Sequence, residues 1–323
     1  MNEPFAHEPV LAQEVIEALR PVPPGLVVDG TLGGGGHARL LLTARPDIRL
    51  LGLDRDPDAV TAARQALAPF GDRVTVVHGG FEHVGAHVRS LRQTSRQTGT
   101  NDEPVVAVLF DLGVSSPQLD RGARGFSYRA DAPLDMRMDP GQDLRAADVV
   151  NGYAEADLAR VLAVYGEERF ARTIARAVVR QRPIESTLEL ATVIKEAIPA
   201  AARRTGGHPA TRSFQAIRIE VNAELQHLEE GLDEAFVLLG PGGRLAVLSY
   251  HSLEDRIVKL RFHTWASPPR PGPRGRPAPG DAPRERARLV HRGGVLPGAD
   301  EVERNPRARS ARLRVVEKLP EAP

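Results

Sequence analysis

The sequence predicts an α/β fold: a doubly wound, largely parallel sheet with an inserted all-helical domain. Three observations predict it. Short apolar runs alternate with helix-like stretches as far as Phe110, a glycine-rich turn follows the first run within Leu26–Ala38, and an entirely helical pattern interrupts the alternation over Ala154–Ala202. With 323 residues, 41% of them hydrophobic and 26% charged, the chain is long enough for two moderate domains.

Hydrophobic spacing and turn residues define the elements of the N-terminal part. Apolar residues at helical spacing predict a helix over Leu11–Arg20, which a proline-rich turn ends. The polar stretch Leu91–Glu103 is predicted to be a loop. The remaining expected elements are strands at Leu26–Val28, Ile48–Leu53, Arg73–Val77 and Val105–Phe110, and helices at Arg39–Ala44 and Asp58–Ala68.

The helical interruption predicts the domain organisation. Ser186 and Glu189 form a capping-box pattern for a helix over Thr187–Ile198, and one long helical pattern runs from Thr211 to Phe236. A strand is then predicted at Arg244–Leu248. We therefore expect a sheet domain made of residues 1–125 and 212–323, with residues 126–211 as a helical insert for substrate recognition.

The C-terminal part predicts how the sheet closes. Residues 266–287 are rich in proline and arginine and are expected to form a mobile loop. Two last strands are expected at Leu289–Arg292 and Ala311–Lys318. A terminal antiparallel pair is unusual for a dinucleotide-binding fold and is typical of class I S-adenosylmethionine (SAM) methyltransferases. The expected architecture is thus a Rossmann-like, seven-stranded sheet.

Composition limits the class of protein. The absence of cysteine excludes disulfides and thiolate metal sites, and no apolar run approaches the ~18 residues of a membrane span. The N-terminus lacks the features of a secretory signal, so we expect a cytoplasmic protein that binds no membrane. All but three of the 43 basic residues are arginine, which favours a nucleic-acid partner or simply reflects a GC-rich genome.

Ligands of such sheets bind at the carboxyl ends of the strands. The glycine turn, read as Gly33-x-Gly35-x-x-Ala38, fits a dinucleotide fingerprint, although four consecutive glycines also suit a flexible loop. Asp54 is placed to accept ribose hydroxyls of either SAM or NAD, and Phe81 offers a flat surface to adenine. Asp29 favours SAM, because a carboxylate there would repel a pyrophosphate but suits the ammonium of a methionine moiety.

Six motifs, in order, resemble the bacterial RsmH (MraW) family of 16S ribosomal RNA cytosine-N4 methyltransferases. The resemblance extends from His7 to near Val316. The motifs lie at Asp29–His37, Gly52–Pro57, Asp111–Asp120, Pro133–Asp139, Ser249–Arg256 and Asn305–Ser310. The resemblance implies a class I methyltransferase domain with a helical insert, SAM as donor, and a decoding-centre cytidine of the small ribosomal subunit as acceptor.

The same resemblance implies a set of site residues. The SAM contacts it implies are Gly35, Gly36, His37, Asp54, Phe81, Asp111 and Gln118. Methyl transfer also needs a hydrogen-bond acceptor for the weakly nucleophilic N4 amine. Asp111 or a carbonyl near Ser115 is the first candidate, and Tyr250 or His251 the second. Phe126, Tyr128 and Tyr250 are available to stack on an unstacked base.

The insert offers a candidate RNA-binding face. Arginines recur at helical spacing on one side of a stretch whose other side is apolar, at Arg169, Arg172, Arg176 and Arg180. A solvated face of an arginine-rich protein explains the pattern equally well. Aspartates at intervals of four, from Asp131 to Asp143, do not predict a metal site, because Pro133 and Pro140 exclude a helix there.

Three alternatives to this function remain at the level of sequence. They are an NAD-dependent oxidoreductase, a non-catalytic ribosome assembly factor on the same fold, and a small-molecule methyltransferase. A homodimer is compatible with the sequence, which does not determine the oligomeric state.

Overall fold

The computed structural model describes residues 9–98, 103–115, 118, 124–204, 208–267 and 285–320. The chain divides into two compact units, a sheet unit of Met1–Gly113 with Gln226–Pro323, and a helical unit of Val114–Leu225. The strands are β1 (Gly25–Asp29), β2 (Ile48–Asp54), β3 (Val74–His78), β4 (Val105–Asp111), β5 (Leu239–Ser249), β6 (Ala287–Leu289) and β7 (Arg312–Lys318).

The sheet of the first unit has the expected topology. Among the described residues it contains seven strands in the order β3-β2-β1-β4-β5-β7-β6. β7 runs antiparallel to both of its neighbours, whereas β1 to β5 are parallel to one another. This confirms the α/β class with a terminal antiparallel pair. β5 begins five residues before the predicted strand Arg244–Leu248, and β6 overlaps the predicted strand Leu289–Arg292 only at Leu289.

Helices cover both faces of this sheet, as a doubly wound fold requires. The described helices of the unit are α1 (Ala12–Leu19), α2 (Gly36–Ala44), α3 (Pro57–Leu67), α4 (Val84–Thr98), α10 (Glu224–Leu238, in this unit from Gln226), α11 (Ser252–Ala266) and α12 (Ala299–Arg304). Side chains of α1, α2 and α3 share one apolar core with the sheet. Those of α4, α10 and α11 share the other.

The prediction of a loop at Leu91–Glu103 is wrong for the first half of this stretch, because α4 continues to Thr98. Val84 and Val88 are fully buried and Leu91 packs against the same core, so a single narrow apolar stripe is enough to hold the helix. The many polar residues of α4 simply face solvent.

The helical unit consists, among its described residues, of α5 (Ala146–Gly152), α6 (Glu155–Gly166), α7 (Ala171–Arg180), α8 (Thr187–Ala197) and α9 (Thr211–Asn222). The single helix predicted from Thr211 to Phe236 is in fact two. Ala223 adopts a left-handed conformation (φ 47°, ψ 35°) that ends α9 before α10 begins. The unit has its own apolar core, to which Phe214, Ile217 and Val221 of α9 contribute.

The packing of α9 explains why the helical unit extends further along the chain than the predicted insert. The sequence predicted the insert at residues 126–211, whereas the compact helical unit runs from Val114 to Leu225. α9 packs against α6 through buried residues and so belongs to the helical unit. The predicted loop at residues 266–287 falls largely on residues 268–284, which lie outside the described residues. No described helix is both long and apolar enough to cross a membrane.

Candidate active site at the carboxyl edge of the sheet

Acidic side chains meet where the central parallel strands end. Asp29 pairs in register with Gly52 of β2 and with Leu109 of β4, so Asp54 and Asp111 each lie two residues further along a neighbouring strand. Tyr250 follows the last residue of β5. The order of the strands therefore brings together the predicted residues Asp54, Asp111 and Tyr250 of the sheet unit.

The glycine turn packs tightly around Asp54. The backbone N–H of Gly33 donates to Oδ2 of Asp54 at 2.8 Å, and that of Asp56 donates to Oδ1 at 2.8 Å. Gly35 has φ 80° and precedes Gly36, the first residue of α2, so a residue with a Cβ would be strained there. Burial raises the pKa of Asp54, while these two amides oppose the rise.

Asp29 is a deeply buried acid of the site. It is 2% exposed and accepts one backbone hydrogen bond, from the N–H of Thr31 at 3.2 Å. Burial raises its pKa from 3.8 to about 7; His37 nearby lowers it, and Asp111 and Asp54 add to the rise. A cation placed beside this carboxyl group would stabilise its ionised form, which burial disfavours.

Asp111 is held by hydrogen bonds to two different segments. Tyr250 donates its phenolic hydrogen to Oδ1 of Asp111 at 2.7 Å. The backbone N–H of Asp111 donates to Oγ1 of Thr31 at 2.5 Å. Burial and the carboxylate of Asp111 raise the pKa of Tyr250 well above 10, so the phenol remains a donor. The sequence proposed Asp111 and Tyr250 as alternatives, whereas the fold makes them partners.

His37 lies beside the remaining oxygen of Asp111. Its Nε2 is 3.5 Å from Oδ2 of Asp111, close enough for an ion pair if the ring is protonated. The approach does not satisfy hydrogen-bond geometry, and both ring nitrogens of this 6% exposed residue lack a hydrogen-bond partner among the described residues. Buried polar atoms in this condition are uncommon and point to a ligand contact.

His251 has a structural task in this site. It caps the N-terminus of α11, its Nδ1 accepting from the backbone N–H of Glu254 at 3.4 Å. Glu254 is 2% exposed, and its Oε2 accepts from the N–H of Tyr250 at 2.8 Å. Sequence reasoning missed Glu254 and Thr31. The three-residue spacing of His251 and Glu254 is that of a capping box, and this pattern would have revealed Glu254.

Phe81 does not present a free ring. It is 9% exposed and packs against Phe110 with 4.8 Å between ring centroids. A Cβ on Gly231 would meet the other side of the ring at 2.5 Å. The residue lies at the strand end as the sequence predicted, but its ring belongs to the core beneath the site.

In the helical unit, the predicted residues Ser115 and Gln118 form a local turn. The N–H of Ser115 donates to Oε1 of Gln118 at 2.9 Å, and the N–H of Gln118 donates to the carbonyl of Ser115 at 3.1 Å. Gln118 is 7% exposed. Ser116 and Pro117 of the same motif lie outside the described residues.

The predicted arginine stripe is exposed along its whole length. Arg169, Arg172, Arg176 and Arg180 all face solvent, while the opposite side of α7 is buried. Nε of Arg176 lies 3.5 Å from Oε1 of Glu155, and the guanidinium of Arg169 lies 4.7 Å from the ring centroid of Phe170. The geometry is therefore that of an accessible cationic face.

The aromatic residues proposed for base stacking in the helical unit have partners within it. Phe126 is 8% exposed in the core. The ring of Tyr128 stacks on His208 with 4.3 Å between centroids, and its hydroxyl lies 3.1 Å from Oγ1 of Thr211. Phe126 is therefore a core residue, whereas the partly exposed ring of Tyr128 has one face covered by His208.

Comparisons with known proteins identify the family to which the chain is similar. The family model described as MraW methylase family matches residues 4–319. A protein of Thermobifida fusca, named Ribosomal RNA small subunit methyltransferase H, is 50% identical over 98% of this chain and 94% of its own length. A protein of the same name from Symbiobacterium thermophilum is 53% identical over 98% of this chain and 97% of its own length.

Proposed function

The chain belongs to the MraW methylase family, and from that premise we propose that it methylates N4 of a decoding-centre cytidine in 16S ribosomal RNA, with SAM as donor. The observation that carries the proposal is the cluster of Asp29, His37, Asp111 and Tyr250 at the carboxyl edge of the sheet. Curated relatives of nearly the same length are named as methyltransferases of small-subunit ribosomal RNA, which supports the substrate class.

The residues fit a sulfonium donor with an amino-acid tail. The glycine turn exposes backbone beside Asp54, and the two ring nitrogens of His37 are buried without a hydrogen-bond partner among the described residues. Asp29 would face the ammonium group, which compensates the unfavourable burial of its carboxylate. When bound, SAM supplies an electrophilic methyl group and a neutral leaving group.

The task of the protein in such a reaction is to hold the amine in line with the methyl group, which is worth roughly 7–11 kcal/mol of the barrier when the geometry is right. Oδ1 of Asp111 already accepts from Tyr250, so Oδ2, which has His37 at 3.5 Å without a hydrogen bond, is the acceptor for an N4 hydrogen. Asp111 is also about a quarter exposed, at 26%, so a substrate can reach it. Tyr250 acts as the positioning residue that fixes the plane of the carboxylate.

The test is transfer of a radiolabelled methyl group from SAM to small ribosomal subunits lacking this modification. Digestion of the RNA to nucleosides should yield N4-methylcytidine, and melting experiments should show stabilisation by SAM and none by NAD. Binding of subunits without transfer would favour an assembly factor, and stabilisation by NAD would favour an oxidoreductase. Methylation at another atom of the base would contradict the proposed acceptor.

The proposed partner is ribosomal RNA in the small subunit, and the proposed location is therefore the cytoplasm, where subunits are assembled. A homodimer stays a prediction of the sequence. Sedimentation of the purified protein at several concentrations measures it directly.

A further inference from the structure

A shallow groove lies at the edge of the sheet unit farthest from β3, between α11 and the β6–β7 pair. It is an open surface depression rather than an enclosed cavity. Its floor includes Phe262, Val315 and Arg314. Its rim is formed by the cationic or titratable side chains of Lys259, His263, His291 and Arg292.

The rim residues come from two elements and converge on the groove. Lys259 and His263 are four residues apart on α11 and so occupy one face of the helix. His291 and Arg292 follow β6, where the N–H of Val290 still bonds to β7. All four rim side chains are exposed, and none has an ion pair or hydrogen bond with another described residue.

The carboxylate that contacts the floor residue Arg314 is already neutralised. Asp255 accepts two hydrogen bonds from the guanidinium of Arg314, at 2.7 and 3.0 Å, and Arg312 lies 3.8 Å from the same group. Arg314 is 6% exposed, which makes this pair part of the floor. Among the described residues that line the groove there is no carboxylate, so the rim side chains leave their positive charge unbalanced there.

The strand register gives the distance between the groove and the proposed active site. Arg314 pairs in register with Val247 of the adjacent β5, and Tyr250 is three residues beyond Val247. With a rise of about 3.3 Å per residue and about 4.8 Å between strands, the groove begins roughly 10–15 Å from Tyr250. A few nucleotides of an RNA chain span such a distance.

We propose that this groove, formed by Lys259, His263, His291 and Arg292, binds backbone phosphates of the RNA substrate beside the target nucleotide. The inference rests on the proposed function. Lysine and arginine bind phosphate by charge-assisted hydrogen bonds without reading sequence. The floor residues Phe262 and Val315 are each 1% exposed, and the partly buried Leu289 is the remaining apolar side chain of the lining. The groove therefore offers a cationic rim with little apolar surface, unlike the apolar centre of a protein interface.

The first experiment removes two of these charges with the double substitution Lys259→Ala and Arg292→Ala. The matched control is Arg64→Ala with Arg89→Ala, two exposed arginines on α3 and α4, outside the groove. The groove variant should bind 16S ribosomal RNA about tenfold more weakly, and the slope of log Kd against log salt should fall by about 1.4, for two phosphates of single-stranded RNA. Stabilisation by SAM and kcat at saturating RNA should not change.

The second experiment identifies what lies in the groove. Because the chain contains no cysteine, Arg292→Cys creates a unique attachment point for a photoactivatable cross-linker, and Arg64→Cys provides the control. With small ribosomal subunits, the Arg292→Cys protein should form its adduct with 16S RNA, and the control should form much less. An adduct mainly with a ribosomal protein, or a double variant that binds RNA like its control, overturns the inference. Failure of the unsubstituted chain to bind or methylate RNA instead overturns the proposed function.

Discussion

At the scale of single residues, the site is defined by how few partners each polar group has. Asp111 has one oxygen held by Tyr250, and its other oxygen lies 3.5 Å from His37 without a hydrogen bond. Asp29 is buried with one backbone donor on its carboxylate. Both acids are thus oriented by the fold while retaining capacity for a ligand, which is the arrangement a transfer site needs.

Substituting Asp111 by Ala should abolish methyl transfer, with a loss of at least about 100-fold, because the acceptor for the N4 hydrogen disappears. Tyr250→Phe should cost less, about tenfold, since the carboxylate remains but loses its orienting hydrogen bond. Radiolabel transfer to small subunits measures both variants. SAM-induced stabilisation serves as the control: if Asp111→Ala loses it as well, Asp111 binds the cofactor rather than the amine.

Asp29 makes the cofactor-free protein sensitive to pH. An acid whose pKa is raised by folding, here from 3.8 to about 7, holds its proton more tightly in the native than in the unfolded chain. Stability is therefore lost as pH rises through this window, by on the order of 4 kcal/mol at the full shift. Urea unfolding between pH 5 and 8 should show the decline for the native sequence.

Asp29→Asn is the matched test of that assignment, because the amide is isosteric and does not ionise. Its free energy of unfolding should vary less with pH than that of the native sequence between pH 5 and 8. The exposed Asp72→Asn is the control and should leave the decline intact. An unaltered decline in the Asp29→Asn protein would assign the effect to another group.

At the scale of elements, turns and caps decide where helices end. His251 and Glu254 start α11 and at the same time fix the backbone of Tyr250. Ala223 separates α9 from α10 by a left-handed residue (φ 47°), a conformation that costs an L-residue with a Cβ roughly 1–2 kcal/mol. The hydrophobic pattern continues across Ala223, so periodicity alone predicted one helix.

Ala223→Gly should therefore stabilise the protein by up to about 1 kcal/mol, since glycine adopts positive φ without strain, partly offset by its greater freedom in the unfolded chain. Ala235→Gly, in the interior of α10, is the control and should destabilise by about 1 kcal/mol. Chemical denaturation of both variants measures the difference. A destabilised Ala223→Gly protein would show that the left-handed turn is not strained.

At the scale of the whole molecule, positive charge is distributed over both units. The helical unit presents the exposed arginines of α7, and the sheet unit presents the groove between α11 and β6–β7. The formal net charge of the chain is only +1, so these faces are local concentrations rather than a general excess. Such concentrations suit a polyanion that contacts the protein at several places.

Neutralising three arginines of α7 with Arg172→Ala, Arg176→Ala and Arg180→Ala should weaken RNA binding and lower the salt slope by about 2, if each meets a phosphate of single-stranded RNA. The charge-matched control is Arg64→Ala, Arg89→Ala and Arg160→Ala, all exposed positions. Filter binding at several salt concentrations measures both. Equal slopes for the two triple variants would identify the arginine stripe as an ordinary solvated surface.

Hydrophobic periodicity and turn residues were enough to predict the sheet, its antiparallel end and the helical insert. These features are local, so a few neighbouring residues carry each one. The candidate residues came from the strand ends and from the resemblance of short motifs to a known family, and their roles stay predictions. The first half of Leu91–Glu103 was missed because α4 buries only a narrow stripe, and the limits of the insert were missed because they depend on which helices α9 contacts.

Only the tertiary structure decided that Tyr250 and Asp111, which are 139 residues apart in sequence, share a hydrogen bond. It likewise decided that the ring of Phe81 lies in the core and that Asp29 is buried deeply enough to raise its pKa to about 7. Strand register and burial set these properties. Both arise from contacts between distant segments, which no local pattern of residue types records.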